Sequence, residues 1–155
     1  IDISLAAMEA SDANGIAGEA IDFNEIHDAH AVAAGDSGAI TELVAAADTA
    51  VGDAKNIFVL LTTTFANTGL VETAIEDGGS HEMVISADVV DDNDAFFVVY
   101  SDGTDAYLAS VQATAAADEV HFDASQTTVR NLTKLVGITS IAAGDFEDTD
   151  FGFIA

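Results

Sequence analysis

Hydrophobic residues fall along this chain in runs whose period changes several times, and the longest runs lie in its middle. Residues 56–64, NIFVLLTTT, form a continuous β-rich run without a polar face, the pattern of a strand buried on both sides. Residues 94–112, DAFFVVYSDGTDAYLASVQ, set Asp102-Gly103 between two further runs. An Asp-Gly pair readily takes the positive φ angles of a two-residue turn, so this stretch predicts a hairpin. Counting outward from that turn sets Val98 opposite Tyr107 and Phe96 opposite Ala109 on one face. Phe97 then lies opposite Leu108, and Val99 opposite Ala106, on the other. Both faces are largely apolar, which places the hairpin in the middle of a layered domain.

Two stretches carry helical spacing instead. Ile40, Leu43, Val44, Ala47 and Val51 recur on one face behind Asp36 or Ser37 as N-cap, predicting a helix over 39–51. A second helix is predicted over 69–77, capped by Asn67 or Thr68, with Leu70, Val71, Ala74 and Ile75 facing inward and Gly78-Gly79 as its left-handed stop. The two helices would cover the two faces of the hairpin. Further strands are expected at 82–90, 119–122 and 132–139, the first reached by a right-handed βαβ crossover or an antiparallel return. Residues 1–36, with one short apolar-periodic piece around 16–26, read as an N-terminal arm that packs on a neighbouring subunit; residues 37–155 read as the domain. The expected fold class is α+β, a mixed β-sheet with a central antiparallel hairpin and helices packed on it.

Composition narrows the function classes. A chain of 155 residues, half of them hydrophobic, suffices for one domain with a sizeable core. Its 28 acidic residues against three basic ones, Lys55, Arg130 and Lys134, give a formal charge of −25. Such a surface repels phosphate backbones and anionic membranes, which argues against nucleic acid as a partner. Salt or divalent cations relieve the self-repulsion, so a saline or calcium-containing medium fits, as does a halophilic source. The absence of cysteine excludes a disulfide framework, and the scarcity of lysine points to an extracellular setting. No apolar run reaches the length of a membrane span and no secretory signal pattern opens the chain, so no membrane insertion is expected. A start at Ile1 reads as a processed product or a fragment.

The candidate chemistry is mostly carboxylate. His27 and His30 would share one side of a helix, but His81 and His121 lie in separate segments, so zinc spacing is not met. His81-Glu82 begins like a metalloprotease motif whose second His is replaced by Ile85. No nucleophile elbow and no phosphate loop occurs, and the expectation is that the protein is not an enzyme. Calcium suits hard oxygen ligands in flexible loops. Three clusters could supply them: Asp91, Asp92, Asn93 and Asp94; Asp102 with Asp105; and Asp145, Glu147, Asp148 and Asp150. None has EF-hand spacing. The competing reading of each is turn chemistry on a solvated acidic surface.

IDIS at the start, NIFVLLTTTFANTGLVETAIEDGG, FFVVYSDGTDAYLASVQ and LTKLVGITSIAAGDF together resemble the C-terminal region of acidic, calcium-associated proteins exported by type I secretion. These include RTX-type proteins and large bacterial surface-layer or adhesin-like proteins, and the similarity covers the last two thirds of the chain. Asp145-Phe146 and the closing DFGFIA resemble an uncleaved C-terminal export signal. The calcium-binding nonapeptide repeats of the family are missing, so no calcium site carries over residue by residue. The resemblance implies an extracellular or cell-surface protein handled by type I secretion machinery. On this basis the chain is expected to be a structural protein that self-assembles, as a homo-oligomer, into a cell-surface layer or filament. The alternative is a calcium-binding module or secretion cap of a larger exported protein.

Overall fold

The centre of the molecule is a pair of parallel strands, β6 (Ile57–Thr64) and β8 (Asp94–Ser101), buried on both faces over residues 57–61 and 95–101. In the computed structural model, which describes residues 1–4, 22–25, 28–31, 40–45, 49–50, 56–84, 94–114 and 121–154, all side chains of 57–60 and 95–100 are buried. β9 (Ala106–Ala113) returns antiparallel beside β8, and β10 (Thr127–Leu135) antiparallel beside β9. The opposite side of β8 is shared. Its first residues pair parallel with β2 (Asp22–Glu25), and Phe97–Val99 pair with β6. β3 (Asp28–Ala31) extends the sheet from β2, and β4 (Ile40–Leu43) extends it from β6. Two small parallel ladders join β5 (Thr49–Ala50) to β7 (Met83–Val84) and β1 (Asp2–Ser4) to β11 (Gly152–Ile154).

The α+β expectation is corrected. The molecule is mostly β, with one helix of seven residues or more among those described, α1 (Thr68–Ile75). The helix predicted over 39–51 gives way to β4 and, at Thr49–Ala50, to β5, while 39, 46–48 and 51 lie outside the described residues; the reason lies in the directions of two side chains. Helical spacing puts Ile40 and Leu43 on one face, whereas in a strand residues three apart point to opposite faces. Ile40 packs with Ile57 and Phe97 on one side of the sheet, while Leu43 is buried with Phe58 and Leu60 on the other. One strand therefore feeds two cores. Val44, assigned to the inward helical face, is half exposed.

α1 follows its sequence signals more closely. Asn67 caps it, accepting the Leu70 N–H at 3.1 Å, and Val71, Ala74 and Ile75 are buried, although Leu70 points outward and is half exposed. The hairpin also forms, with a register two residues from the expected one: Val98 pairs with Ala109, Val99 with Leu108 and Tyr100 with Tyr107. Asp102–Asp105 make a four-residue loop in place of a two-residue turn. A shift of two preserves every side chain's face. The strand expected at 132–139 starts earlier and ends at Leu135, before a turn at Val136-Gly137 where Gly137 has φ +85°. Of the strand expected at 82–90, Met83–Val84 pairs with β5 and 85–90 lie outside the described residues. Likewise 119–120 lie outside, while His121 and Phe122 are not in a strand.

Each face of the sheet has its own cover. Phe58, Phe96, Val98, Tyr100 and Val111 lie under α1 together with Phe65 and Phe122. Phe96 meets Phe58 edge to face at 5.3 Å and stacks on Phe122 at 5.9 Å. The opposite face, built from Ile57, Val59, Phe97, Val99 and Leu108, is covered by Ile3, Ile141, Phe151 and Phe153 from the two ends of the chain. Residues 1–4 and 22–25, part of the segment read as an arm, pair within this chain. Between Val59 and Thr64 the β6–β8 register slips, and Thr62 holds φ +64° there, an uncommon conformation for a β-branched residue.

Candidate functional site

The acidic residues singled out as metal ligands are brought together only in part. Asp91, Asp92 and Asn93 lie outside the described residues, and Asp94 opens β8. Asp102 and Asp105 close the β8–β9 loop. Asp102 Oδ1 accepts the N–H groups of Thr104 at 2.7 Å and Asp105 at 2.9 Å, its Oδ2 accepts the Tyr107 hydroxyl at 3.0 Å, and its own N–H donates to the Asp105 carbonyl at 3.0 Å. This is the bonding that turns a two-residue turn into a four-residue one. Asp105, buried, accepts the Gly137 N–H at 2.7 Å on Oδ1 and pairs with Lys134 Nζ at 2.5 Å through Oδ2.

The electrostatics of this tip follow from those bonds. The Asp105 and Thr104 N–H groups hold the Asp102 carboxyl below the usual carboxylate range, and Lys134 with the Gly137 N–H does the same for Asp105. Asp105 in turn raises Lys134, and the Asp102 carboxylate raises the Tyr107 phenol. Tyr107 stacks on Tyr100, whose phenol is pushed up by burial and donates to Asn131 Oδ1 at 2.9 Å. The carboxylates are ionised, the lysine charged and the phenols neutral at neutral pH. Such a set is a clasp tying β8, β9 and β10 together. None of its members is poised to exchange a proton near pH 7.

The C-terminal cluster has the same character. Asp145 Oδ2 accepts the Ala142 N–H at 2.7 Å, Asp150 Oδ2 the Glu147 N–H at 2.8 Å, and Asp148 Oδ1 reaches across to the Ile40 N–H at 2.8 Å. Among the described residues no group of three or more His, Asp or Glu side chains is arranged to hold a metal ion. Asp145, Asp150, Ile1, Leu135, Ile138 and Phe146 line an open groove of about 310 Å³. His27 is outside the described residues and His30 lies in β3, so the helical placement of that pair is not found.

Carboxylates that the sequence did not mark are as much engaged. Glu72 on α1 and Glu76, the residue that caps its C-terminal end, lie against the open edge of β10. Glu72 Oε1 accepts the Val129 N–H at 2.8 Å. Glu76 Oε1, on a buried side chain, accepts the N–H groups of Ser125 at 3.1 Å and Thr127 at 3.2 Å and the Thr127 hydroxyl at 2.8 Å. Their i, i+4 spacing was visible in the sequence; their partners, about fifty residues away, were not. Nearby, His121 Nδ1 lies 3.0 Å from Glu82 Oε1, and buried His81 joins the Leu61 carbonyl through Nε2 and the Ser80 hydroxyl through Nδ1, each at 3.1 Å. Burial holds the His81 imidazole below its ordinary range.

No family model, curated protein or solved structure matches this chain. Among the described residues no helix is long and apolar enough to cross a membrane.

Proposed function

We propose that this protein is an extracellular structural subunit that self-assembles into a cell-surface layer or filament and catalyses no reaction. One observation carries the reading. In the clusters around Asp102, Asp148 and Glu76, the carboxylates are committed to backbone N–H groups of the chain itself, so their chemistry is that of fixing loops and strand edges. Covered strand edges suit a subunit that must avoid indiscriminate pairing while joining its neighbours through chosen contacts. A formal charge of −25 adds a requirement for cations between copies, and calcium is the cation proposed to meet it.

Electron microscopy of the purified protein, with and without calcium at about millimolar concentration, tests the proposal. Ordered filaments or sheets are expected with calcium, and dispersed monomers under both conditions would overturn it. Calcium binding by calorimetry with a rise in melting temperature, yet without particles, would favour a calcium-binding module or secretion cap of a larger exported protein.

A further inference from the structure

The outer side of β10 changes character half-way along the strand. Up to Val129 it is closed by Glu72 and Glu76, which accept the N–H groups of Ser125, Thr127 and Val129. Alternation along the strand turns the Asn131 N–H to the same side, past the last of these carboxylates. From Arg130 to Lys134 every residue is exposed, and among the described residues no strand pairs with this side. The register slips between Asn131 and Thr133, and Leu132, the extra residue, is 40 % exposed. This half of β10 is an edge that a further strand can extend.

The same edge is where the charge of the chain reverses. Residues 124–144 contain no Asp or Glu, and Arg130 and Lys134 are two of the three basic residues in a chain with 28 acidic ones. The other long acid-free stretch, 54–71, supplies the buried run of β6. Register places the two cations on opposite faces. Arg130 pairs with Ser110, which pairs with Phe97 of the core under the terminal ladder. Lys134 pairs with Tyr107, which pairs with Tyr100 of the core under α1; its side chain is half exposed while it holds Asp105. A strand sends successive side chains to alternate faces, so an incoming acidic strand meets a cation on each. On the terminal face a groove of about 290 Å³, lined by Ile1, Ile3, Leu108 and Leu132, lies beside the edge and can seat an apolar side chain.

We propose that residues 130–134 of β10 receive an extended acidic segment of a second copy, continuing the sheet from one molecule into the next. The inference rests on the self-assembly reading above and names the contact through which assembly proceeds. A formal charge of −25 makes copies repel, and at this edge a carboxylate-bearing strand meets opposite charge instead. Two β10 edges are poorly matched to each other, since that pairing sets cation against cation. The contact is therefore heterologous, and its repetition builds rings or open filaments.

Thr133, exposed on this edge, carries the test. Thr133→Glu and Thr133→Lys are compared with Ala143→Glu and Ala143→Lys, the same charges in an exposed turn that bonds Glu42 of β4, on the other side of the sheet's central strands. The critical concentration for assembly, read by pelleting, is expected to be about tenfold higher for Thr133→Glu than for Thr133→Lys. The two Ala143 variants are expected to lie within about twofold of each other. In particles of the unmodified protein the Asn131 amide should gain hydrogen-exchange protection that the dispersed monomer lacks. Equal critical concentrations for the two Thr133 variants, or an Asn131 amide that exchanges alike in particles and monomer, would overturn the proposal and leave self-assembly standing. Should Thr133→Glu fail to fold, the exchange of Asn131 in the unmodified protein decides alone. Absence of particles from the unmodified protein would overturn both readings.

Discussion

The two faces of the central sheet are covered in opposite ways. One is covered locally: α1 begins four residues after β6 ends, packs Val71, Ala74 and Ile75 onto it, and ties itself to β10 through Glu72 and Glu76. The other is covered from afar, by residues from both ends of the described chain held in a three-residue ladder. Both covers exclude water equally well, since Phe58 and Phe97 are each fully buried. They differ in how separately they can open. A local, pinned cover belongs to the cooperative core, whereas a three-residue ladder that shares no strand with the main sheet can open while that sheet persists.

Matched truncations should expose this difference. Phe58→Ala, on the α1 side, is expected to cost about 3–5 kcal/mol and to lower the global transition. Phe153→Ala, on the terminal side, is expected to cost roughly half as much, because part of its packing is lost whenever the ladder opens. Denaturant unfolding with hydrogen exchange checks both: amides of β11 should lose protection in Phe153→Ala while those of β6 keep theirs. Equal losses in β6 and β11 would show one cooperative unit and end the distinction.

Glu76→Ala tests the pinning itself. It leaves the Ser125 and Thr127 N–H groups and the Thr127 hydroxyl without their acceptor, which should cost about 1–3 kcal/mol. It also uncovers the β10 edge, so concentration-dependent association seen by light scattering should rise. Asn67→Ala removes the cap of the same helix and should cost about 1 kcal/mol by thermal denaturation without that association.

Features set by neighbours in sequence were legible before the structure. The buried run of β6, the Asn67 cap and the two apolar faces of the hairpin each depend on residues a few positions apart. What failed depends on distant partners or on finer bonding. Ile40 and Leu43 fit a helical stripe and a strand equally well in isolation; only a sheet with two cores distinguishes them. The hairpin register moved by two because Asp102 bonds the N–H groups of Thr104 and Asp105, which a count from Asp-Gly does not include. Acidic residues could be recognised as turn formers or ligands, but Asp148 meets Ile40 across 108 positions and Glu76 meets Thr127 across 51. The carboxylates were seen and their roles were not.

The smallest expected effect is a pH dependence that separates the helix side from the hairpin tip. Burial lowers the pKa of His81, so the unfolded chain binds its proton first as pH falls below about 6.5. The stability from neutral His81 is complete above that value and is lost as pH falls through the lower folded value. Asp102 and Asp105 are also held low, but from the carboxylate range, so their contribution lasts down to about pH 4 before it declines. Lys134 is raised, and its contribution fades only when pH rises past the ordinary lysine range. Between about pH 6.5 and 5, exchange protection should therefore weaken around His81, whose N–H donates to the Ala74 carbonyl at 2.7 Å. The hairpin tip should keep its protection there. His81→Gln retains a donor and an acceptor but does not titrate, so it should flatten the dependence on the helix side. If the slope survives that substitution, His81 is not its source, and the helix-side cover responds to acid through another group.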